Sequence, residues 1–209
     1  MPLILEKQKD KFSFMVWKIN EDLSFFLDKF KICDKESLEI SKYSEHRLFE
    51  WWSSRYLLFL LQGEKRSCVL KDEFGKPYLQ NSDKKISLSH SGKNIAAVIS
   101  DKNIGIDIQN ISPKVDIIKE KFLSKKELEF NSSLEKLNLM WTVKEAVYKA
   151  YGKKKISFKK HIRIDDFRKN GDMITGNVFV DINKTKIKYK VESYSMEKAI
   201  LSIAFEELK

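Results

Sequence analysis

Side chains that could do chemistry are concentrated in four short segments of the sequence. These are GKPY at 75–78, SLSHSG at 87–92, GIDIQ at 105–109 and WTVKEAVYKAYG at 141–152. If the third segment is a strand, alternation places Gly105, Asp107 and Gln109 on one face, opposite its isoleucines. A carboxylate and an amide oxygen at this spacing suit a hard cation such as Mg²⁺, and Gly105 adds no side chain to block approach. The segment is compatible with a divalent-cation site, although an ordinary polar strand face is the preferred interpretation of this segment alone.

The fourth segment is predicted to be helical, and it carries a second set of polar groups. Trp141, Glu145 and Lys149 are four residues apart and therefore form one stripe along a helix. Glu145 could supply a further oxygen to the metal, and Lys149 could contact a phosphate. The alternative is a Glu–Lys pair that stabilises the helix without any ligand.

The first two segments offer groups that bind phosphate. His90 and the neighbouring serines could hold a phosphate at a turn that Gly92 allows, and Lys76 could meet one as a point charge. Surface turns without a ligand are the alternative for both segments. A serine-protease site is excluded, because the chain has three histidines and no G-x-S-x-G motif.

Hydrophobic spacing predicts the elements that must position these segments. A strand is predicted at 11–19, a long helix at 44–62, and short strands at 86–89, 95–100 and 104–108. Helices follow at 114–121, 124–130 and 134–151, and then strands at 173–181, 184–192 and 198–205. Ser112, Ser124 and Ser132 are the expected helix caps, the latter two as capping boxes with Glu127 and Glu135. Strands and helices without regular alternation predict an α+β fold in two blocks, divided near residue 104.

Composition limits the class of protein. The 209 residues carry a net charge of +10, which attracts nucleic acid, membrane, phosphorylated ligands or acidic proteins without choosing among them. Cys33 and Cys68 lie far apart without a C-x-x-C motif, which argues against a disulfide framework or zinc site and suits a reducing cytosol. The most apolar run, at 56–61, is too short to cross a bilayer. A soluble, cytoplasmic protein is expected.

Taken together, in this order and spacing, the four segments resemble the signature of the 4′-phosphopantetheinyl transferase superfamily, in its larger, surfactin-synthetase-activating type. The matching motifs are G-K-P, S-H-S-G, G-I-D-I and W-x-x-K-E-A-x-x-K-x-x-G. The resemblance implies Mg²⁺-dependent transfer of the phosphopantetheine arm of coenzyme A to a serine of an acyl or peptidyl carrier protein, releasing 3′,5′-ADP. It also implies a monomer that is a pseudo-dimer of two similar α/β halves, each a small antiparallel sheet with a long helix. These halves are residues 1–104 and 105–209, and the second carries the metal-binding and catalytic motifs.

The same resemblance assigns roles to single residues. Asp107 is similar to the family's main ligand for Mg²⁺ or Mn²⁺, and Glu145 to a second ligand that is also a catalytic residue. Coenzyme A is expected to be bound by residues that resemble the family's phosphate and nucleotide contacts: Arg47, Arg55, Lys76, Pro77, Ser89, His90 (at the 3′-phosphate) and Lys149 (at the pyrophosphate). Gln109 stands where many relatives have glutamate, so the third metal position falls to its amide oxygen or to water.

Two residues are candidates for the general base that takes the serine proton. Glu127 resembles a family glutamate with this role, although a capping box with Ser124 would occupy the same carboxylate. Lys144 is the competing candidate, provided that its surroundings lower its pKa. Both alternatives stay open on the sequence.

The expected partners follow from the resemblance and from the charge. Carrier proteins tend to be acidic, so a basic surface would guide the encounter, and the run at 152–155 is the predicted docking segment. Carriers of fatty-acid, polyketide or nonribosomal-peptide synthesis all fit, and neither nucleic acid nor membrane is expected as a partner. The alternatives are a coenzyme A binder without catalysis and a basic nucleic-acid-binding protein.

Overall fold

A computed structural model describes residues 3–63, 66–129, 133–153 and 156–207. The chain divides into two compact units, Met1–Lys102 and Asn103–Lys209. Each unit contains one antiparallel sheet and one long helix. The α+β class with two antiparallel sheets is therefore confirmed, and the pseudo-dimer relation between the units stays a prediction.

The first unit is a six-stranded sheet with a long helix packed on one face. Its strands are β1 (Leu3–Gln8), β2 (Phe12–Lys18), β3 (Val69–Lys71), β4 (Pro77–Leu79), β5 (Lys85–Ser91) and β6 (Asn94–Ser100), in the order β1-β2-β6-β5-β4-β3. Its helices are α1 (Leu23–Leu27), α2 (Asp34–Ile40) and α3 (Glu45–Gln62). The N-cap of α3 is Ser44, whose hydroxyl accepts a hydrogen bond from the backbone of Arg47. The apolar face of α3, with Trp52, Leu57 and Leu58, packs in one core with side chains of β5 and β6.

The second unit is a five-stranded sheet with a long helix across it. Its strands are β7 (Ile104–Asn110), β8 (Ile162–Asn170), β9 (Met173–Ile182), β10 (Thr185–Ser195) and β11 (Ala199–Glu206), in the order β7-β11-β10-β9-β8. Its helices are α4 (Lys114–Phe122), α5 (Lys125–Leu128), α6 (Leu134–Tyr151) and α7 (Phe158–His161). α6 ends at Gly152, which adopts the left-handed conformation with φ 71° that glycine favours. A boundary after residue 104 would cut β7, which lies whole in this unit.

Two buried polar side chains of α6 attach the helix to its surroundings. The amide of Asn138 accepts from the backbone N–H of Ser112 at 3.0 Å and donates to its carbonyl at 3.2 Å. Thr142 Oγ1 and Ser202 Oγ of β11 share a hydrogen bond of 2.8 Å. Because all of these groups are satisfied within the protein, they hold α6 in a defined position on the sheet.

The helix caps agree with the sequence in part. The capping box of Ser124 and Glu127 is confirmed by reciprocal hydrogen bonds. α6 is capped by Ser133, whose hydroxyl accepts from the backbone of Lys136, whereas Ser132 lies outside the described residues. Ser112 is not the N-cap of α4: Pro113 occupies that position, and the Ser112 hydroxyl accepts from the backbone of Lys114.

The two cysteines are close in space, contrary to the expectation from the sequence. Cys33 caps α2 and Cys68 precedes β3, and the fold brings their Cα atoms to 6.2 Å, where they form a disulfide. The prediction that the two cysteines are not paired was wrong, because a separation of 35 residues does not determine which segments pack together. The cysteine argument for a reducing compartment falls with it.

The described part of the chain contains no helix that is both long and apolar enough to span a bilayer. Among the described residues the two longest helices are α3 and α6, and each has 18 residues with charged side chains among the apolar ones.

Candidate active site

Gly105 allows the helix that carries the reactive motif to lie directly on β7. A Cβ at this position would stand 2.0 Å from the carbonyl oxygen of Ala146 and 2.5 Å from the nitrogen of Ala150. The face of β7 that was expected to be open to a metal is thus in contact with α6 at Gly105. The glycine is required for close packing of helix on strand rather than for access of a ligand.

This close packing places Asp107 of β7 beside Lys149 of α6. Lys149 Nζ donates to Asp107 Oδ1 at 2.7 Å and to the carbonyl of Ile106 at 3.1 Å. The Asp107 side chain is 9% exposed and that of Lys149 is 28% exposed, so the pair lies at a partly covered surface. Two residues that are 42 positions apart in sequence therefore form one charge pair.

Glu145 adds a second carboxylate to this pair. Burial and, to a smaller extent, the negative charge of Asp107 raise the pKa of Glu145 to about 7, against the opposing charge of Lys149. Burial and Asp107 thus outweigh Lys149 at Glu145, and two carboxylates come together in a partly buried place. Neighbouring carboxylates are the hard oxygen donors that a divalent cation favours.

Two further residues of the predicted site are Gln109 on β7 and Trp141 on α6. Gln109 is half-buried two residues after Asp107 on β7, and its amide donates to the backbone carbonyl of Asn110 at 3.2 Å. Its oxygen is the atom that a metal would use. Trp141 packs edge-on against Phe122 with ring centroids 5.0 Å apart, so the first residue of the predicted stripe belongs to the core.

The two candidate general bases are bound to each other. Lys144 Nζ donates to Glu127 Oε2 at 2.8 Å and to the carbonyls of Phe122, Phe158 and Ile162 at 2.8–3.1 Å. Glu127 in turn accepts from the backbone N–H groups of Ser124 at 2.8 Å and Ile164 at 3.0 Å. The exposed fraction is 0% for Lys144 and 4% for Glu127.

The charge state of this pair follows from its surroundings. Burial lowers the pKa of Lys144, whereas the charge and hydrogen bond of Glu127 raise it, and the net direction is down. Since the ammonium has four oxygen acceptors around it, the pair ties α5, α6, α7 and β8 together at one point. The arrangement is that of a structural ion pair in a protein core.

The first unit brings three basic side chains to one carboxylate. Glu50 of α3 lies 3.2 Å from His90 Nδ1 of β5, 3.4 Å from Arg47 Nη1 and 3.7 Å from His46 Nδ1. The sequence analysis placed Arg47 and His90 on coenzyme A phosphates but missed Glu50. Its spacing of three and four residues from Arg47 and His46 on a helix is a signal that could have found it.

Arg55 lies in a separate buried charge network of the same unit. Its side chain is 4% exposed, 3.8 Å from both Glu36 and Glu39, and its guanidinium covers the ring of Trp51. Burial lowers the pKa of Arg55, opposed by Glu39 and Glu36. Glu36 also accepts from Arg66, so Arg55 shares this carboxylate with a second guanidinium and has Glu39 as its other acidic neighbour.

Lys76, Pro77 and Ser89 lie on the β4–β5 side of the first sheet. Asp72 Oδ1 accepts from the backbone of Lys76 at 2.8 Å in the turn before β4, and Pro77 is the first residue of that strand. Ser89 is buried, while its neighbour His90 is exposed, because successive strand residues face opposite sides. Ser89 and His90 are therefore on opposite faces of the first sheet, although the sequence analysis put both at the nucleotide.

Comparison with known proteins bears on the second unit. Residues 103–204 match the model of the 4′-phosphopantetheinyl transferase superfamily. This range contains Asp107, Glu127, Lys144, Glu145 and Lys149, and it supports the superfamily for this part of the chain, without confirming the surfactin-synthetase-activating type. No curated protein matches the chain.

Proposed function

We propose that the protein transfers the 4′-phosphopantetheine arm of coenzyme A to a serine of an apo acyl or peptidyl carrier protein and releases 3′,5′-ADP. The family match over residues 103–204 supports phosphopantetheinyl transfer. The observation that carries the proposal is the convergence of Asp107, Glu145 and Lys149 where α6 packs on β7. Oxygen ligands and a phosphate-binding cation at one place are what metal-assisted phosphoryl transfer requires.

The donor set fits a divalent cation. Asp107 and Glu145 would hold it, with Gln109 or a water molecule as third ligand, because carboxylate and amide oxygens are the donors that Mg²⁺ prefers. When bound, Mg²⁺ or Mn²⁺ would neutralise charge that develops on the phosphate oxygens. Lys149, held at 2.7 Å by Asp107, would contribute a fixed positive charge to the pyrophosphate.

The first unit offers the groups proposed for the nucleotide. His90 and Arg47 present exposed basic side chains around Glu50 and would meet phosphate. Lys76 and Pro77 are proposed as further contacts of coenzyme A, whereas Ser89 is left out because it is buried on the face opposite His90. We leave Arg55 out of this set, because its guanidinium is covered and paired with Glu36 and Glu39.

For Glu127 and Lys144 we favour a positioning role over general-base catalysis. A base must reach the substrate proton and must have an unoccupied lone pair. Burial of both groups and their mutual hydrogen bond work against both conditions. The pair instead holds α6 against α5 and β8, so that the next residue, Glu145, stays beside Asp107.

The expected partner is an acidic carrier protein, attracted by the net charge of +10. The proposed docking run at 152–155 ends outside the described residues and stays a prediction, as do the monomeric state and the cytoplasmic location. The proposal includes no nucleic acid and no membrane as partner.

Intact-mass spectrometry of an apo acyl carrier protein tests the transfer directly. Incubation with the protein, coenzyme A and Mg²⁺ is expected to add the mass of one phosphopantetheine arm to the carrier. The variant Asp107→Asn and addition of a chelator should both abolish the gain, whereas Asp165→Asn, an exposed aspartate of β8, should retain it.

The outcomes of this test separate the two remaining functions. Coenzyme A binding without a mass gain on several unrelated carriers would favour a non-catalytic binder. Absence of both binding and mass gain would overturn the proposal.

A further inference from the structure

One acidic side chain in the first unit is surrounded by basic groups from two elements. Glu50 Oε1 lies 3.2 Å from His90 Nδ1, and Oε2 lies 3.4 Å from Arg47 Nη1. His46 Nδ1 is 3.7 Å from the same carboxylate. Glu50 is only 18% exposed, whereas His90, Arg47 and His46 are 40%, 52% and 85% exposed. The carboxylate is thus the covered member of the cluster, and its basic partners form the accessible surface.

The geometry sets the orientation of the imidazole. A carboxylate next to Nδ1 of a histidine favours a proton on that nitrogen and fixes the orientation of the imidazole ring. The orientation and protonation of Nε2 are set in the same way. With Nδ1 turned to Glu50, the Nε2 edge of His90 points away from the carboxylate. Arg47 is held by the other oxygen of the same group, so one residue aligns cations of α3 and β5.

The charges of this cluster favour an anion. One carboxylate stands among a guanidinium and two imidazoles, which leaves positive charge when either imidazole is protonated. A phosphate monoester carries more charge and more acceptor oxygens than a hydroxyl or a diester, and guanidinium and imidazolium groups donate to it in charge-assisted hydrogen bonds. Such a cluster is expected to bind a ligand that carries a phosphate monoester more tightly than the same ligand without it.

We propose that Glu50 is a positioning residue that orients His90 and Arg47 on a phosphate monoester of the nucleotide, and so makes the 3′-phosphate a determinant of ligand choice. The inference rests on the proposed function for the identity of the ligand. Glu50 itself does not contact the phosphate; it acts through its two basic neighbours.

Calorimetric titration of the full-length protein with two nucleotides tests this role without requiring transfer. The probes are 3′,5′-ADP and 5′-AMP, which differ in the 3′-phosphate alone. The wild-type protein is expected to bind 3′,5′-ADP more tightly by about tenfold or more, the size of a charge-assisted hydrogen bond. Glu50→Gln should remove most of this preference and leave the affinity for 5′-AMP unchanged.

Matched variants separate positioning from general effects of charge or stability. Glu45→Gln removes the same charge from an exposed position in the first turn of α3 and should keep the preference. His90→Ala should lose the preference, and Glu50→Gln combined with His90→Ala should lose no more than His90→Ala alone, because both changes act on one interaction.

Each outcome decides the inference separately from the proposed function. An unchanged preference in Glu50→Gln, or equal weakening of both nucleotides, would overturn the role of Glu50 even if the carrier protein gains mass. Loss of the preference in Glu50→Gln without any transfer by the wild type would support the phosphate site and overturn the proposed enzyme activity. Equal binding of both nucleotides by the wild type would refute the inference outright.

Discussion

Two consecutive residues of α6, Lys144 and Glu145, belong to charge groups with opposite properties. Lys144 and Glu127 balance each other in the core, and the ammonium also meets three backbone carbonyls. Around Glu145, burial and the Asp107 carboxylate raise its pKa to about 7, although the Lys149 ammonium lowers it. The first group is an ion pair of matched charges in the core, and the second contains a carboxylate whose titration is strongly perturbed.

This difference helps to distinguish structural from functional ion pairs. A buried pair that uses all its donors and acceptors costs desolvation but needs nothing further. A partly buried carboxylate with a raised pKa is stabilised by a proton or by a ligand, and perturbed titration of this kind is concentrated at functional sites. Residue type alone does not separate them, since both consist of lysine and carboxylate.

Breaking the balanced pair is expected to have the largest effect. Lys144→Met leaves the Glu127 carboxylate buried without its counter-charge and should lower the free energy of unfolding by about 3–5 kcal/mol. The double variant Lys144→Met, Glu127→Gln should recover part of this loss, because no unpaired charge remains. Urea unfolding of the wild type and the two variants measures both effects.

The transfer activity of the double variant decides between positioning and general-base catalysis. If the pair only positions α6, the folded double variant still transfers phosphopantetheine to the carrier. A double variant that folds as the wild type does but transfers nothing would show that one of the two groups takes part in the reaction.

The group formed by Asp107, Glu145 and Lys149 depends on the close packing of α6 on β7, and a larger residue at the contact should disturb it. Gly105→Ala places a Cβ against the backbone of Ala146 and Ala150 and should cost about 1–3 kcal/mol of stability. The resulting displacement of Glu145 from Asp107 should lower the transfer rate about a hundredfold. Carrier mass gain against time, alongside thermal unfolding, gives both quantities.

Gly176→Ala is the matched control for this change. Its Cβ would stand 2.3 Å from the carbonyl oxygen of Asp166, a clash of similar severity in β9. It should cost similar stability and leave the metal requirement as it is. Equal loss of activity in both variants would contradict the role of the Gly105 contact.

A third carboxylate near Asp107 and Glu145 tests whether residue 109 lies at the metal site. Gln109→Glu supplies a third carboxylate on the face of β7 that carries Asp107, so the Mg²⁺ concentration for half-maximal transfer should fall by about three- to tenfold. Gln80→Glu, outside the second unit, serves as control and should leave the Mg²⁺ requirement unchanged. An unchanged or greater requirement in Gln109→Glu would place residue 109 away from the metal.

An exposed group provides the smallest expected effect. Lys188 and Lys190 hydrogen-bond to Glu207 and lower its pKa from 4.5 to about 2, against a small opposing effect of burial. The carboxylate therefore stabilises the fold above pH 4.5, and this contribution is lost as pH falls from 4.5 towards 2. Glu207→Gln should lower stability at pH 7 by at most about 1 kcal/mol, because exposed ion pairs are screened.

Thermal unfolding of Glu207→Gln and wild type from pH 7 to pH 2 checks the sign. The difference in Tm should shrink below pH 4.5. A difference that grows as the pH falls would contradict the assignment.

The elements that were predictable from the sequence have strong local signals. α3 and α6 combine apolar residues at helical spacing with serine caps and terminal glycines, and both were found. β8 was missed because its sequence, IRIDDFRKN, is largely polar and forms an edge strand without hydrophobic alternation. β1, at the edge of the other sheet, was missed as well.

Candidate site residues can be selected from the sequence where polar groups are concentrated in a short segment. Asp107 and the stripe of Glu145 and Lys149 were selected in this way, and their roles stay predictions. The pairing of Lys144 with Glu127, and the burial of Arg55 by Glu36 and Glu39, depend on segments that meet only in the folded chain. Whether these side chains are exposed or buried in ion pairs depends on tertiary contacts and cannot be read from residue type.

The attachment of α6 has a consequence for changes in chain length. Successive helical residues are separated by about 100° of rotation about the axis. Asn138, Thr142 and Lys144 each have a buried partner in a different direction, which leaves the helix a single angle of rotation. Insertion of one residue between Lys144 and Lys149 would turn the lysine away from Asp107 while the preceding turns stay in place. The segment therefore tolerates substitution on its surface but neither insertion nor deletion.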